Sequence, residues 1–293
     1  MAIKLPLDGD EIANLEVSRN ILTGYHSVTV YSEWKFWHHP PLYYAILHPL
    51  SYDPFYARML SVLLTCLTLI VVYRLGNGLA QLFYTFIPTA IIFGVVIRPD
   101  IPMLLAMMLT LLLFRNHPNW ALAVSTIGIN IKYQFAAVLV PIFLMDRKAF
   151  VKFSIADALA LIPFGLVSYL NTGDFLLFSH WSQDLGVPTF TDAFPTDLMV
   201  LYLTVVCAVA TLKDRKLGIY LALIIANLLM VTLVSPAKFA FKVTYYYLPC
   251  FAAGTIALDS YTRVISKRSR FVVLIVFVLI LLRQSRFLID ILF

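Results

Sequence analysis

Lys132 is an ammonium set between two short apolar runs, with no acid near it in sequence. An ionisable group at such depth is a functional candidate by default, with a water or an anion as the partner that makes its placement tolerable. Its plain alternative is a lysine snorkelling to the outer turn of a helix. Arg98-Pro99-Asp100 sets a guanidinium two residues from a carboxylate, close enough to pair with each other or to reach the segment around Asp10. Asp8, Asp10, Glu11, His38 and His39 fall within the first forty residues. Imidazole and carboxylate suit Mn or Zn, so a divalent cation is one use for that group. No His-x-x-x-His spacing supports it, no residue is assigned as a metal ligand, and interfacial hydrogen bonding is the plainer role for the histidines. Arg58 opens a long apolar run, and Lys238 and Lys242 flank a later polar turn. There is no glycine-rich phosphate loop, no Gly-x-Ser-x-Gly and no Cys-x-x-Cys, which leaves ATPase, hydrolase and redox chemistry without an anchor. Cys66, Cys207 and Cys250 each lie inside an apolar run and read as small buried hydrophobes.

The elements that must position these groups are apolar helices. Of the 293 residues, 61% are hydrophobic and only 13% charged, and the mean hydropathy is +0.85. Soluble domains carry about 45–50% apolar and about 25% charged residues, so the composition is that of a polytopic membrane protein. Unbroken runs such as Met103 to Phe114 exclude the alternating pattern of a membrane β-barrel. The expected fold is therefore all-α, a bundle of about ten membrane segments: Phe55 to Tyr73, Leu79 to Ile97, Pro102 to Phe114, Trp120 to Ile131, Tyr133 to Met145, Phe153 to Leu170, Leu198 to Leu212, Leu217 to Val234, Val243 to Leu258 and Phe271 to Leu282. Several fall short of the ~20 residues of a perpendicular span and must be tilted or enclosed by other helices. Nucleic-acid binding, secreted disulfide scaffolds and intrinsic disorder drop out.

Sorting the charges by connection gives sidedness. Alternate connections collect Arg74, Arg115, Arg147, Lys148, Lys152, Lys213, Arg215, Lys216, Arg263, Lys267, Arg268 and Arg270, which makes that face cytoplasmic. The opposite face receives most of the carboxylates, among them Asp10, Glu11, Glu33, Asp53, Asp100, Asp174 and Asp197. Two regions follow: residues 1–54, an extracytoplasmic first loop with juxtamembrane helices, and residues 55–293, the bundle, with a further outer loop at 171–197. In the first loop, Ile12, Leu15, Ser18, Ile21 and Leu22 fall near one helical face, with Asp10 as N-cap and Gly24 as the C-terminal stop. Pro40 and Pro41 open a second, interfacial helix, and the tryptophans and tyrosines around it suit a membrane-interface belt. The loop is acidic and has no apolar core after Lys4, so it is not a signal peptide. Carrying it across the membrane calls for a preceding helix, which is expected to be missing from this chain or supplied by another.

In order along the chain stand Asp10-Glu11, Arg19-Asn20-Ile21-Leu22-Thr23-Gly24, His39-Pro40-Pro41-Leu42-Tyr43-Tyr44, Arg58 with a run ending in Tyr73-Arg74-Leu75, Arg98-Pro99-Asp100, Gly128-Ile129-Asn130-Ile131-Lys132 and Tyr245-Tyr246-Tyr247-Leu248-Pro249. Together they resemble the polytopic lipid-linked-sugar glycosyltransferases with the GT-C fold: the protein mannosyltransferase superfamily, the aminoarabinose-to-lipid-A transferases and the sugar transferases of lipopolysaccharide cores. The resemblance spans most of residues 8 to 258. The family departs from this chain in having a helix before the aspartate loop, and often a tyrosine two or three residues after the acids, where Ile12, Ala13 and Asn14 stand here.

The resemblance implies a transferase that moves a hexose or pentose from a polyprenyl-phosphate donor to a lipid, glycan or protein acceptor on the extracytoplasmic face of the cell membrane. Asp10 matches the catalytic aspartate, with Glu11 beside it. Lys132, Arg58 and Lys242 are expected at the donor phosphate, with Arg98, Asp100, His39 and Tyr43 in support. Such transfer needs one base for the acceptor hydroxyl, cations for the departing phosphate and an apolar groove for the isoprenoid. Expected partners are the donor, the acceptor and membrane lipids, with no nucleic acid. A non-catalytic or truncated relative, and a membrane transporter, are the competing readings; a transporter would have its prolines Pro88, Pro141 and Pro163 breaking helices near a buried site.

Overall fold

The computed structural model describes residue 7 and residues 9–21, 39–172, 175, 198–234 and 247–292; for 171–172, 232–234 and 286–292 it describes the backbone alone. The described residues are all-helical, with no strand among them. Lys242, Lys238, Asp8, His38, Gly24, Tyr245, Tyr246 and nearly all of the 171–197 loop lie outside them. In chain order the helices are α1 (Gly9–Arg19), α2 (Leu42–Leu47), α3 (Pro54–Leu75), α4 (Gly78–Phe86), α5 (Pro88–Phe93), α6 (Asp100–Leu113), α7 (Pro118–Ile129), α8 (Leu139–Met145), α9 (Arg147–Thr172), α10 (Leu198–Lys213), α11 (Gly218–Val234), α12 (Leu248–Val264) and α13 (Lys267–Leu292), with short 3-10 turns between some of them.

Two helical stretches, Pro54–Leu75 and Arg147–Leu170, are long and apolar enough to cross a membrane; Asp100–Leu113, Tyr133–Met145 and Leu198–Lys213 are shorter apolar segments. The core helix of a water-soluble protein would be mostly enclosed. Here only 33% and 22% of the most apolar stretches of the two long helices are buried. Leu63, Leu67 and Ile70 on α3, and Leu159, Leu166 and Leu170 on α9, face outward. Exposed apolar area on that scale marks a surface that contacts a membrane or another protein.

Four expectations are corrected. The single span from Leu79 to Ile97 is two short helices, because Ile87 precedes Pro88 and is driven to the extended region, at φ −71° and ψ 114°. The stretch from Tyr133 to Met145 opens as a 3-10 helix, Tyr133–Val138, before α8; Pro141, in the first turn of α8, has no N–H to return to that segment. In the first loop, α1 begins at Gly9, so Asp10 lies in its first turn rather than at the N-cap, and it stops at Arg19. Cys66 is exposed, whereas Cys207 and Cys250 are buried, because Cys66 falls on the outward side of α3.

The chain packs as two compact units, one of Met1–Thr68, Phe93–Ala136 and Val151–Gln183, the other of Leu69–Ile92, Ala137–Phe150 and Asp184–Phe293. The first unit joins the first loop to α6, α7 and most of α3 and α9. Within it α1 lies on α2 and the 3-10 turn His48–Leu50. The His48 Nδ1 lies 2.7 Å from the Ser18 carbonyl, and the Arg19 Nε–H donates to the Ser51 carbonyl at 2.8 Å. In the second unit α12 packs against α10, α11 and α4, and Leu203 of α10 sits where a side chain on Gly254 would have to stand. There α4 and α5 run beside α13 in the same sense, Phe83 meeting Phe277 and Thr89 meeting Gln284.

Candidate functional site

The candidate site lies wholly in the first unit, where the starts of α1, α3 and α6 meet the end of α7. Each of its acids is held by a base far away in sequence. Arg58, in the second turn of α3, grips Glu11 with two parallel bonds, Nε to Oε1 at 2.9 Å and Nη2 to Oε2 at 2.6 Å. This is the bidentate fork that a guanidinium offers a carboxylate. Both side chains are almost fully enclosed, at 5% and 1% exposure. Arg98 meets Asp10 at 2.6 Å, and Asp10 keeps 36% of its side chain open. The Arg98 guanidinium also lies over the Phe93 ring, 5.5 Å from its centroid. Lys132 donates to Asp100 at 2.5 Å, with both groups buried.

Local structure explains the meeting. Asp100 is the first residue of α6, where a carboxylate is favoured by the helix dipole. Lys132 follows α7 directly: the N–H groups of Ile131 and Lys132 both donate to the Gly128 carbonyl, closing the helix. Gly128 is required because the Phe135 ring already occupies the place of its absent Cβ. The Asn130 carbonyl accepts from the N–H of Leu42, which ties the proline-opened helix α2 to the Lys132 turn.

The backbone of Ile97 lies at the centre of these contacts. Its N–H donates to Glu11 Oε1 at 3.0 Å, and its carbonyl accepts from the Asn14 side-chain amide at 2.9 Å. One turn of α1 therefore holds both polar groups of the residue before Arg98. Tyr43 and Tyr44 are buried against the cluster. Burial, then the neighbouring Tyr44 and Asp100, pushes the Tyr43 hydroxyl well above its ordinary range. Burial and the Asp10 charge raise Tyr44, opposed by a hydrogen bond from the His39 backbone. Burial pulls the Lys132 ammonium downward, and its attraction to Asp100 works against that.

Asp10, Glu11, Arg58, Arg98, Asp100, Lys132 and Tyr43 thus come together, and His39 is there through its backbone. Lys132, without an acid nearby in sequence, has one in space. Arg98 and Asp100 do not pair with each other; each reaches a partner on another element. Lys242 lies outside the described residues, as do Asp8 and His38 of the divalent-cation alternative. Among the described residues no three His, Cys, Asp or Glu side chains are grouped to hold a metal ion.

Two features escaped the sequence reading. Asn14 stands where the resembled family often has tyrosine, and an interior asparagine of a short helix carries no signal of its tertiary partner. Asp157 sits inside the apolar stretch read as Phe153 to Leu170, buried, with the Ser125 hydroxyl of α7 at 2.9 and 2.8 Å from its two oxygens. Its signal was present, an acid inside a helix long and apolar enough to cross a membrane.

Comparison of the chain with protein-family models, with curated proteins and with solved structures gave no match.

Proposed function

We propose that the chain is a multi-pass membrane glycosyltransferase, moving a sugar from a polyprenyl-phosphate donor to an acceptor on the extracytoplasmic face. The observation that carries this reading is the convergence of Asp10, Arg98, Asp100 and Lys132 at one end of α6 and α7. A base and two cations are the side chains this transfer needs. Asp10 is the carboxylate open enough to meet an acceptor hydroxyl, and it takes the proton as the oxygen attacks the anomeric carbon. The bond from that carbon to the phosphate oxygen breaks, and the polyprenyl phosphate departs without needing an acid. Arg98 and Lys132 lie where they can stabilise its growing charge. Glu11 serves as an anchor rather than a second base, since both of its oxygens are engaged by Arg58 and one also by the Ile97 N–H.

Charge sorting within the first unit supports the sidedness. The cluster lies at the start of α6 and the end of α7. At the other ends of the same helices stand exposed Arg115 and, 3.5 Å from Asn119, exposed Lys152. In the second unit Lys213, Arg215 and Lys216 flank the α10–α11 turn, and Arg263, Lys267, Arg268 and Arg270 the α12–α13 turn. Cations gathered at such turns favour the cytoplasmic side.

The test is a transfer assay with a polyprenyl-phosphate sugar. Asp10→Asn should lose about 10²- to 10⁴-fold in rate while remaining folded and inserted, because the amide keeps the shape but takes no proton. Equal activity of the two would remove Asp10 from the chemistry. A transporter is the second reading, favoured by the intramembrane Ser125–Asp157 pair. It would leave the lipid-linked sugar unconsumed by the native protein.

A further inference from the structure

We propose that Asn14 is a positioning residue of this site: together with Glu11 it grips the backbone of Ile97 by its N–H and its carbonyl and so holds the turn 97–100 in the register that presents Arg98 to Asp10 and Asp100 to Lys132. The functional part of this inference rests on the transferase reading; the mechanical part does not.

The geometry is specific. Glu11 and Asn14 are three residues apart on α1 and therefore share a face. Glu11 accepts the Ile97 N–H at 3.0 Å, and Asn14 donates to the Ile97 carbonyl at 2.9 Å. Asn14, Glu11 and Ile97 are all buried. If either bond were lost, a buried polar group of the Ile97 backbone would be left unsatisfied, so the two bonds are strongly favoured together. Neither can be replaced from within a helix, because Ile97 lies between α5 and α6. Proline at 99 denies the turn one backbone donor, which increases its dependence on side chains from α1. The helix that does the gripping is itself fastened at both ends. Arg58 holds Glu11 near its start, and the contacts of Ser18 with His48 and of Arg19 with Ser51 hold its end.

The consequence is a mechanical link between the two halves of the site. Asp10 belongs to α1, while Arg98 and Asp100 belong to the gripped turn. Asp10 can stand in a constant relation to the two cations only if α1 and the turn move as one body, and the Ile97 backbone is where they are joined. A misplacement of about 1 Å is enough to cost a positioned reaction about a hundredfold.

The experiment uses the full chain in detergent micelles, with native protein, Asn14→Leu and Asn14→Gln. Leucine keeps the branched outline of asparagine, with somewhat more bulk, and removes the donor; glutamine keeps an amide on a stem one methylene longer. Two quantities are read for each: amide hydrogen exchange across 96–100, and the rise in melting temperature produced by decaprenyl phosphate. Asn14→Leu should exchange the Ile97 and Arg98 amides about five- to tenfold faster, the range expected for one lost hydrogen bond. It should lose most of the ligand-induced rise, and Asn14→Gln should restore at least half of each effect. Unchanged exchange in Asn14→Leu would overturn the inference whatever the ligand does. Faster exchange with an undiminished ligand-induced rise would overturn its functional part, leaving Asn14 a purely structural tie. No ligand-induced rise in the native protein would sink the transferase reading and Asn14's role in it, while the exchange data still decide whether Asn14 holds the turn.

Discussion

Lys132 and Asp100 illustrate how a partner changes the meaning of a residue. Without Asp100, the Lys132 ammonium would be a cost to be removed, and Lys132→Met would stabilise the protein. With Asp100 beside it, 2% exposed, the same substitution strands a buried carboxylate. Lys132→Met should therefore lower the unfolding free energy by about 3–5 kcal/mol, the usual penalty for breaking a buried pair from one side. The double variant Lys132→Met with Asp100→Leu should recover most of that loss, since an apolar pair of similar volume leaves no charge unsatisfied. Chemical denaturation of the three proteins measures both effects. A Lys132→Met protein as stable as the native one would mean that Asp100 finds other compensation. Glu11 and Arg58 obey the same logic, which is why Glu11 reads as an anchor.

At the scale of the element, the end of α7 is the feature on which the site depends. Gly128 is needed there for space rather than for backbone freedom: a Cβ would lie 2.2 Å from the Phe135 ring, and Phe135 is itself fully buried and has nowhere to move. Gly128→Ala should destabilise the protein by about 1–3 kcal/mol through overpacking. Because the Gly128 carbonyl also accepts the Lys132 N–H, the change should weaken ligand binding more than an equally destabilising change elsewhere. Paired measurements of melting temperature and decaprenyl phosphate affinity check this; a loss of stability with affinity intact would separate the helix end from the site. Helix positions were largely legible in the sequence, since apolar runs bounded by proline and charge mark α3, α6, α7, α10 and α11 to within a few residues. The breaks inside α4–α5 and before α8 were not. Hydrophobicity is continuous across both stretches, and the breaks come from the backbone alone: Pro88 forces Ile87 out of the helix, and Pro141, in the first turn of α8, has no N–H to return to the segment before it.

For the whole molecule the testable statement is sidedness. Asp53, ahead of α3, lies at the end of the first unit that holds the site, and Asn119, in the first turn of α7, lies at the other; both are exposed. In a protein whose own three cysteines are replaced, Asp53→Cys should react with a membrane-impermeant maleimide in intact cells, and Asn119→Cys only after permeabilisation. Labelling of both from one side would end the multi-pass reading of this unit.

The amino-acid sequence by itself determined that the described chain is helical and which stretches form the helices, because both follow from quantities that are sums over short windows: apolar content, helix stops and charge sign. It also marked nearly every ionisable member of the site. What only the tertiary structure decided was the pairing. Glu11 meets Arg58 across 47 residues and Lys132 meets Asp100 across 32, and nothing in either neighbourhood names the other. The choice among several acids and several bases turns on differences of a few ångströms once helix ends have packed, since burial makes each correct pair worth far more than it would be in water. The Ile97 clamp is hidden for a further reason: one of its two sides is a backbone peptide, and every residue has one.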